Sequence, residues 1–307
     1  MSRQKTDITS HAAKKLEKAS IKNVYIVGRR GPIQAAFTIK ELREMTKIEK
    51  VQTLIDPEDV TILNSEVIQN LPRARRRLTQ LMIDISKGFK IPTGNENGMK
   101  TCKIQFNKSP IAIEQIQFKE NSIAKSDRLR VRFCKNSLDN PLDEKSPCKP
   151  IQPLQIDEIN CGLLLKSIGY QTVCLDPSIP MNERKGSIDN LAGRVNGHPG
   201  LYCSGWSATG PSGVLVNTMN VSFEVGKNII DDFKSGLLNQ NNLVNKNNLV
   251  NEDNILSLLK ERNVEVVTFD DWKNIDAMEL SLGKRLGKPR EKLVQIDDMV
   301  RAAKNKK

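Results

Sequence analysis

The feature that most constrains this chain is a short apolar run that stops at two adjacent arginines. Residues 24–27, VYIV, are β-branched or aromatic, and this pattern favours a strand buried on both faces. Gly28 ends the run, and Arg29 and Arg30 follow before the turn at Gly31-Pro32. Because ligands of open α/β sheets bind at the carboxyl ends of the strands, this position is typical of a binding site.

Strand patterns alternate with helix patterns along the chain, which predicts the α/β class. We expect strands at 23–27, 161–170 and 200–206, a three-stranded meander at 101–107, 110–118 and 127–134, and helices at 12–19, 33–47, 73–88, 213–234, 252–262, 271–282 and 296–304. Residues 135–156, rich in Pro, Asn, Asp and Lys, predict an inter-domain connection, and the repeat NNLVNKNNLVNE at 241–252 predicts a surface insert. Neither a G-x-G-x-x-G loop nor a P-loop is present in the sequence.

The charge balance predicts an acidic partner without identifying it. The net charge is +12, and Arg73, Arg75, Arg76 and Arg77 place four arginines in five positions. Nucleic acid, an anionic membrane, a phosphorylated ligand and an acidic protein all fit this excess. Six cysteines without a C-x-x-C pair, together with only two histidines, argue against a zinc site and favour reduced thiols. No apolar run is long enough for a membrane span, and the amino terminus shows neither a signal core nor a transit peptide.

Three sets of residues carry candidate chemistry, and the residues alone leave each open. Arg29 and Arg30 are either a solvated pair or a site for the 2′-phosphate of NADP. The segment CSGWSATGPSGVL, residues 203–215, is either a glycine-rich loop that caps a buried Trp206 or a site for a flat ligand before a helix N-terminus. The basic set Arg43, Arg73 and Arg77 is a solvated face, a nucleic-acid surface without a recognisable module, or a docking surface for an acidic protein.

Several segments together resemble the NADPH–adrenodoxin reductases, which are mitochondrial ferredoxin reductases. The matching segments, in order, are VYIVGRRGPIQAAFTIKELREM, PRARRRLTQL, CGLLLKSIGY, GRVNGHPGLYCSGW, GPSGVLVNTM, FDDWKNIDA and GKPREKLV. The resemblance implies two Rossmann-like dinucleotide-binding domains of glutathione-reductase type, with the first FAD-binding segment missing. Residues 1–155 would be an NADP-binding domain lacking its first strand and glycine loop, and residues 156–307 the carboxyl-terminal part of the FAD-binding domain.

The resemblance also implies roles for individual residues. It assigns NADP contacts to Arg29, Arg30, Glu41 and Gly213, FAD contacts to Trp206, Gly213, Val214 and Leu215, and ferredoxin docking to Arg43, Arg73 and Arg77. It identifies no catalytic residue and no metal ligand in this chain. The chain departs from the family at Ala208 and Thr209, where the family carries two basic residues, so these two positions do not supply the positive charge that the family has near the flavin.

The function implied by the resemblance is electron transfer from NADPH through FAD to an adrenodoxin-like [2Fe–2S] ferredoxin, for mitochondrial P450 or Fe–S biosynthesis pathways. It implies a monomer in the mitochondrial matrix, peripherally associated with the inner membrane, that does not bind nucleic acid. The alternative is a flavin-free remnant that binds only ferredoxin or NADP. Because the family's two glycine loops are missing, we expect the 307-residue chain to bind FAD weakly or not at all.

Overall fold

The computed structural model describes residues 6–88, 98–116, 128–213, 215–238 and 252–304. It has two compact units, which we name after their candidate site residues. The arginine unit is Ser10–Leu165, and the tryptophan unit combines Met1–Thr9 with Lys166–Lys307. Helices and strands alternate in the arginine unit, and the predicted α/β class is confirmed. The predicted insert at 241–252 lies outside the described residues except for its last position.

A parallel sheet and an antiparallel sheet form the framework of the arginine unit. Its described helices are α1 (Ser10–Glu17), α2 (Ile39–Thr46), α3 (Ser65–Asn70) and α4 (Arg73–Lys87). Its described strands are β1 (Asn23–Val27), β2 (Val51–Ile55), β3 (Lys100–Gln105), β4 (Lys108–Ile116), β5 (Arg128–Leu138), β6 (Cys148–Pro150) and β7 (Ile156–Cys161). The parallel sheet has the order β1-β3-β2, whereas β5 pairs antiparallel with β4, β6 and β7. The predicted meander is therefore wrong in its first member, because β3 joins the parallel sheet.

The main core of the arginine unit lies between the parallel sheet and the helices α2 and α4. Its fully buried members include Ile33, Leu42, Ile55 and Met82. Strand β1, in contrast, is not buried: Val24, Tyr25 and Ile26 are each more than 40% exposed. The prediction of a strand buried on both faces is therefore wrong in its burial. No described element covers this part of the sheet, although both faces of a parallel sheet are usually covered.

Helix α2 begins later than the sequence pattern suggests. Residues Pro32–Gln34 form a single 3₁₀ turn, and α2 starts at Ile39 after its N-cap, Thr38. The Thr38 hydroxyl accepts from the Glu41 amide, while Glu41 accepts from the Thr38 amide, so the pair forms a capping box. This reciprocal cap fixes the helix start, and the predicted helix at 33–47 is correct only in its second half.

The predicted connection at 135–156 is folded within the arginine unit. It contains the end of β5, all of β6 and a loop at residues 139–146, which we call the 139–146 loop. Turns hold this loop together: Ser146 is buried, and its hydroxyl accepts from the Asn140 amide at 2.9 Å. The segment rich in Pro, Asn and Asp is therefore an ordered part of the first unit rather than a spacer.

The tryptophan unit consists of small hairpins and longer helices. Its described strands are β8 (Met181–Asn182), β9 (Ser187–Ile188), β10 (Asn190–Leu191) and β11 (Arg194–Val195), and its helices are α5 (Trp206–Thr209), α6 (Leu215–Lys234), α7 (Glu252–Glu261), α8 (Phe269–Arg285) and α9 (Ile296–Lys304). The predicted strands at 161–170 and 200–206 are wrong, since β7 ends at Cys161 and only an isolated bridge joins Arg194 to Tyr202. Leu165 and Ile168 are largely exposed, because no described strand pairs with them. Among the described helices, none has the length and apolarity needed to span a membrane.

Candidate functional site

Arg29 and Arg30 lie at the carboxyl edge of the parallel sheet, immediately after β1. The backbone there is tied to the neighbouring chain: Gly28 N donates to Gln105 O at 2.9 Å, and Asn107 N donates to Arg30 O at 3.1 Å. The Arg29 side chain is exposed, and within the described part of the chain its guanidinium forms no ion pair. The Arg30 guanidinium donates through Nη1 to Glu144 O at 3.3 Å. The turn therefore presents one unpaired cation and one tethered cation at the edge where α/β ligands bind.

Glu41, the third predicted NADP contact, is occupied in the cap of α2. The Thr38 amide donates to its Oε2 at 2.6 Å, and this hydrogen bond lowers the pKa of the Glu41 carboxyl. The carboxylate is charged at neutral pH and completes the first turn of the helix. No hydrogen bond between Glu41 and either Arg29 or Arg30 is present. Its contact with NADP remains a prediction, whereas its capping role follows from the T-x-x-E spacing.

Three side chains to which the sequence assigned no role at this site support the arginine turn. Asn136 donates to Arg29 O at 2.8 Å, and Gln34 donates to the carbonyls of Pro141 and Asp143 at 2.9 and 2.7 Å. Arg75 pairs with Glu144, whose carbonyl accepts from Arg30. The partners lie about a hundred positions apart in the chain for Asn136 and Gln34, and no local motif marks such contacts.

The basic set differs from its neighbour Arg76 in its contacts within the fold. Arg43, Arg73 and Arg77 are exposed, and no described residue forms an ion pair with them. Arg76 instead donates to Gln69 O and Leu71 O at 2.9 and 3.2 Å, so it closes the connection before α4. Arg76 is exposed as well, but it is bonded within the fold. Arg43, Arg73 and Arg77 are the three that the resemblance assigns to ferredoxin docking, and their partner remains a prediction.

The glycine-rich loop around Trp206 is shaped by glycines in the left-handed region. Gly205 has φ 60° and Gly210 has φ 79°, and the short helix α5 lies between them. A Cβ on Gly210 would lie 2.5 Å from Lys185 O, so only glycine fits there. Trp206 stacks on Tyr170 with 6.0 Å between ring centroids, and the residue remains 47% exposed. The loop therefore does not cap a buried tryptophan, and it leaves an aromatic face accessible.

Helix α6 begins two residues after Gly213, the residue predicted to contact both cofactors. Gly213 has φ 84°, and a Cβ there would meet the Asn217 side chain at 2.8 Å. Leu215, the first residue of α6, is 88% exposed. Val214 lies outside the described residues. Gly213 and Leu215 therefore stand near the amino end of a twenty-residue helix, where the backbone amides favour negative charge.

A partly buried network links α6 to the strand that precedes the Trp206 loop. Arg194 donates through Nε and Nη2 to the two carboxylate oxygens of Asp232, at 2.7 and 2.8 Å. Tyr202 donates its hydroxyl to the same carboxylate at 2.6 Å. The hydrogen bond from Arg194, followed by that from Tyr202, lowers the pKa of Asp232. The Arg194–Asp232 fork is bidentate, and it fixes the loop scaffold in both distance and angle.

Comparison with known proteins gives consistent matches over nearly the whole chain, although no protein-family profile matches it. The mitochondrial NADPH:adrenodoxin oxidoreductases of Mus musculus and Homo sapiens are each 37% identical to it over 301 residues, which cover 97% of this chain and 58% of each relative. The chain is a relative of the NADPH:adrenodoxin oxidoreductases. The resemblance predicted from the sequence motifs is thereby confirmed. The chain spans 58% of the length of these two curated relatives.

Solved structures also match the fold of this chain. Mycobacterium tuberculosis FprA in complex with NADPH matches with a TM-score of 0.78 and 27% identity, over 97% of this chain and 61% of that chain. A second FprA structure contains a covalently modified NADP⁺ and matches with the same TM-score of 0.78. The likeness to FprA therefore extends through both units of the α/β fold.

The residues present fit part of each cofactor. The unpaired Arg29 guanidinium and the adjacent Arg30 have the charge and planar donor geometry that suit a phosphate group. The accessible Trp206 ring and the glycine at 213 would accommodate a flat ring system beside the start of α6. The described residues contain no group of three or more His, Cys, Asp or Glu side chains that would hold a metal ion.

Proposed function

We propose that the chain is part of an NADPH-dependent flavoprotein oxidoreductase that passes electrons to an adrenodoxin-like [2Fe–2S] ferredoxin. The observation that carries this proposal is the position of Arg29 and Arg30, at the carboxyl edge of a parallel sheet in a relative of the NADPH:adrenodoxin oxidoreductases. FAD, when bound, would accept two electrons together and release them singly. The curated relatives are named as mitochondrial, and we place this protein in the same compartment, at the matrix side of the inner membrane.

In this proposal the chain's own residues bind and orient the reactants. Arg29 and Arg30 bind the 2′-phosphate, because two adjacent cations favour a nucleotide with a second phosphate group over one with a free hydroxyl. Trp206 and the amino end of α6 face the flavin ring, where the helix amides stabilise negative charge. Arg43, Arg73 and Arg77 dock the acidic ferredoxin, and they orient it through complementary charge.

The proposal is tested by the binding of two small nucleotides to the chain. Adenosine 2′,5′-bisphosphate carries the 2′-phosphate and adenosine 5′-monophosphate does not, so isothermal titration of both measures selectivity for that group. We expect the bisphosphate to bind more tightly, and Arg29→Ala to remove about tenfold of that preference, since a charge-assisted contact contributes roughly 1.5–3 kcal/mol. Arg77→Ala is the matched control, because it removes an exposed arginine assigned to a different partner. Equal affinity of the unaltered chain for both nucleotides would contradict the proposal.

A second candidate is a flavin-free chain that binds only ferredoxin or an NADP-like nucleotide. It is favoured by the 47% exposure of Trp206 and the absence of a G-x-G-x-x-G loop from the sequence. The absorbance spectrum of the purified protein separates the two candidates. A stoichiometric flavin band retained through gel filtration supports the flavoprotein, whereas a colourless protein that still prefers the bisphosphate supports the second candidate.

A further inference from the structure

The peptide between Arg29 and Arg30 is held by a buried side chain from another sheet. Asn136 lies on β5, its side chain is 5% exposed, and its Nδ2 donates to Arg29 O at 2.8 Å. The same amide group donates to Ser109 Oγ at 2.7 Å, so both of its hydrogens have partners. The Asn136 side chain is therefore fixed in its orientation, and it fixes the carbonyl that it binds.

The next peptide is held from the same direction. Asn136 N donates to Asn107 O at 2.7 Å, and Asn107 N donates to Arg30 O at 3.1 Å. Because a trans peptide is planar, its carbonyl and its N–H point in opposite directions. Fixing the carbonyls of Arg29 and Arg30 therefore fixes the directions in which the amides and the two side chains leave the backbone.

The Arg30 side chain has a second restraint, the 139–146 loop. Its Nη1 donates to Glu144 O at 3.3 Å, and the Glu144 carboxylate pairs with Arg75 at 3.0 Å. Gln34, which is buried, holds the same loop through the carbonyls of Pro141 and Asp143. The loop therefore presents a fixed carbonyl to Arg30, while Asn136 fixes the backbone from which that side chain extends.

We propose that Asn136 is a positioning residue that sets Arg29 and Arg30 to select a 2′-phosphorylated adenine nucleotide over one with a free 2′-hydroxyl. The inference rests on the proposed function of the arginine pair. A guanidinium binds phosphate through a planar fork of donors, so its contribution depends on angle as well as distance. Without Asn136 the turn samples other peptide orientations. The arginines then keep their charge but lose their alignment with the phosphate. The loss of affinity is therefore confined to the 2′-phosphate, the group that the arginines contact.

The experiment measures the ratio of two dissociation constants for the full chain, those of adenosine 5′-monophosphate and adenosine 2′,5′-bisphosphate. Asn136→Ala removes the donor to Arg29 O, and Asn136→Asp keeps the side-chain shape while replacing that donor with an acceptor. We expect both variants to lower the ratio by about tenfold, the effect of one hydrogen bond to a charged ligand. Ser109→Ala is the graded comparison, since it removes the other partner of the same amide and leaves the hydrogen bond from Asn136 to Arg29 O. We expect it to lower the ratio less than Asn136→Ala does.

The outcomes separate this inference from the proposed function. A chain that binds both nucleotides equally contradicts the proposed function itself. A preference that Arg29→Ala abolishes and both Asn136 variants retain contradicts only the positioning role. A parallel loss of affinity for both nucleotides, with loss of the far-ultraviolet circular dichroism of the fold, assigns Asn136 to general stability and also contradicts it.

Discussion

Arg75 and Glu144 form an ion pair in which Nε lies 3.0 Å from Oε1, and Arg75 Nη1 also donates to Ala35 O at 2.7 Å. These two contacts distinguish Arg75 from Arg73 and Arg77, which are exposed on the same helix. A cluster of four arginines in five positions thus contains residues that hold the fold and residues that face solvent. The two groups predict different consequences of substitution.

We expect Arg75→Ala to destabilise the arginine unit and Arg73→Ala to leave it nearly unchanged. The first variant leaves Ala35 O without its donor and releases Glu144, a loss of about 1–3 kcal/mol, whereas an exposed substitution usually changes stability by about 0.5 kcal/mol or less. Hydrogen exchange measured by mass spectrometry on peptides covering residues 139–146 locates the effect. Unchanged exchange in the loop of Arg75→Ala would show that this ion pair does not hold it.

We expect the stability of the arginine unit to depend on pH through the carboxyl of Asp59. Burial raises its pKa to about 6 from the ordinary 3.8, against the effect of the hydrogen bond from the Phe106 backbone. The raised pKa means that this group stabilises the fold fully below pH 3.8, and that the contribution is lost as the pH rises through about 6. Asp59→Asn stays neutral while keeping an acceptor for the Phe106 amide. We expect it to raise the unfolding temperature at pH 7–8 and to lose this advantage near pH 4.

The control for this prediction is Asp139→Asn. Asp139 is about half exposed, and it pairs with the exposed Lys149 at 3.3 Å, an arrangement that contributes little to stability. Its substitution should change the unfolding temperature only slightly at either pH. Thermal unfolding followed by circular dichroism at pH 4 and pH 7.5 gives both comparisons. A stability difference for Asp59→Asn that is the same at the two pH values would place its pKa outside this window.

Two helical glycines give a matched pair of substitutions in the tryptophan unit. A Cβ on Gly283, within α8, would lie 2.5 Å from Arg290 Cα and 2.7 Å from its backbone nitrogen. A Cβ on Gly226, within α6, would meet no atom within 4 Å. We expect Gly283→Ala to destabilise the unit by about 1–3 kcal/mol, because backbone must move, and Gly226→Ala to stabilise it by up to about 1 kcal/mol.

Tryptophan fluorescence reports on unfolding of this unit, since Trp206 and Trp272, the two tryptophans of the chain, both lie in it. A urea titration followed by this fluorescence gives the midpoint for each glycine variant. Trypsin cleavage after Arg290 provides a second readout, because displacement of that residue would break its ion pairs with Asp276 and Glu279. Faster cleavage is expected in Gly283→Ala only. If both variants unfold at the same urea concentration, the close approach to Arg290 does not restrict residue 283.

The sequence predicted those features that depend on neighbouring residues. It did not predict features that depend on a partner far away in the chain. The helix at Arg73–Lys87 and the strand at Asn23–Val27 were predicted within one residue, because hydrophobic period and turn residues fix such elements. The predicted burial of Val24 and Tyr25 was wrong, because an apolar pattern shows which side chains can be buried and not what covers them. Asn136 gave no signal either, since its bond to Arg29 joins residues 107 positions apart.

Ferredoxin docking is the prediction that depends most on charge and least on the cofactors. Arg43, Arg73 and Arg77 are exposed cations, and α4, which carries two of them, packs into the core of the arginine unit through Leu78 and Met82. We therefore expect an acidic [2Fe–2S] ferredoxin to bind the chain whether or not flavin is present. Pairing between exposed charges is screened over about 8–10 Å at ordinary ionic strength, so the affinity should fall steeply with salt.

Charge reversal at Arg77 tests this surface, because it replaces attraction by repulsion. Arg77→Glu should weaken ferredoxin binding more than Arg77→Ala, whereas Lys149→Glu, a reversal at another exposed cation, should change it little. Nucleic acid would show a similar salt dependence, so a competition assay is needed to separate the two partners. If the surface is specific for ferredoxin, the acidic ferredoxin displaces a fluorescent oligonucleotide at a lower concentration than the oligonucleotide needs to displace ferredoxin. The reverse order, or no ferredoxin binding at low salt, would refute the docking role of these arginines.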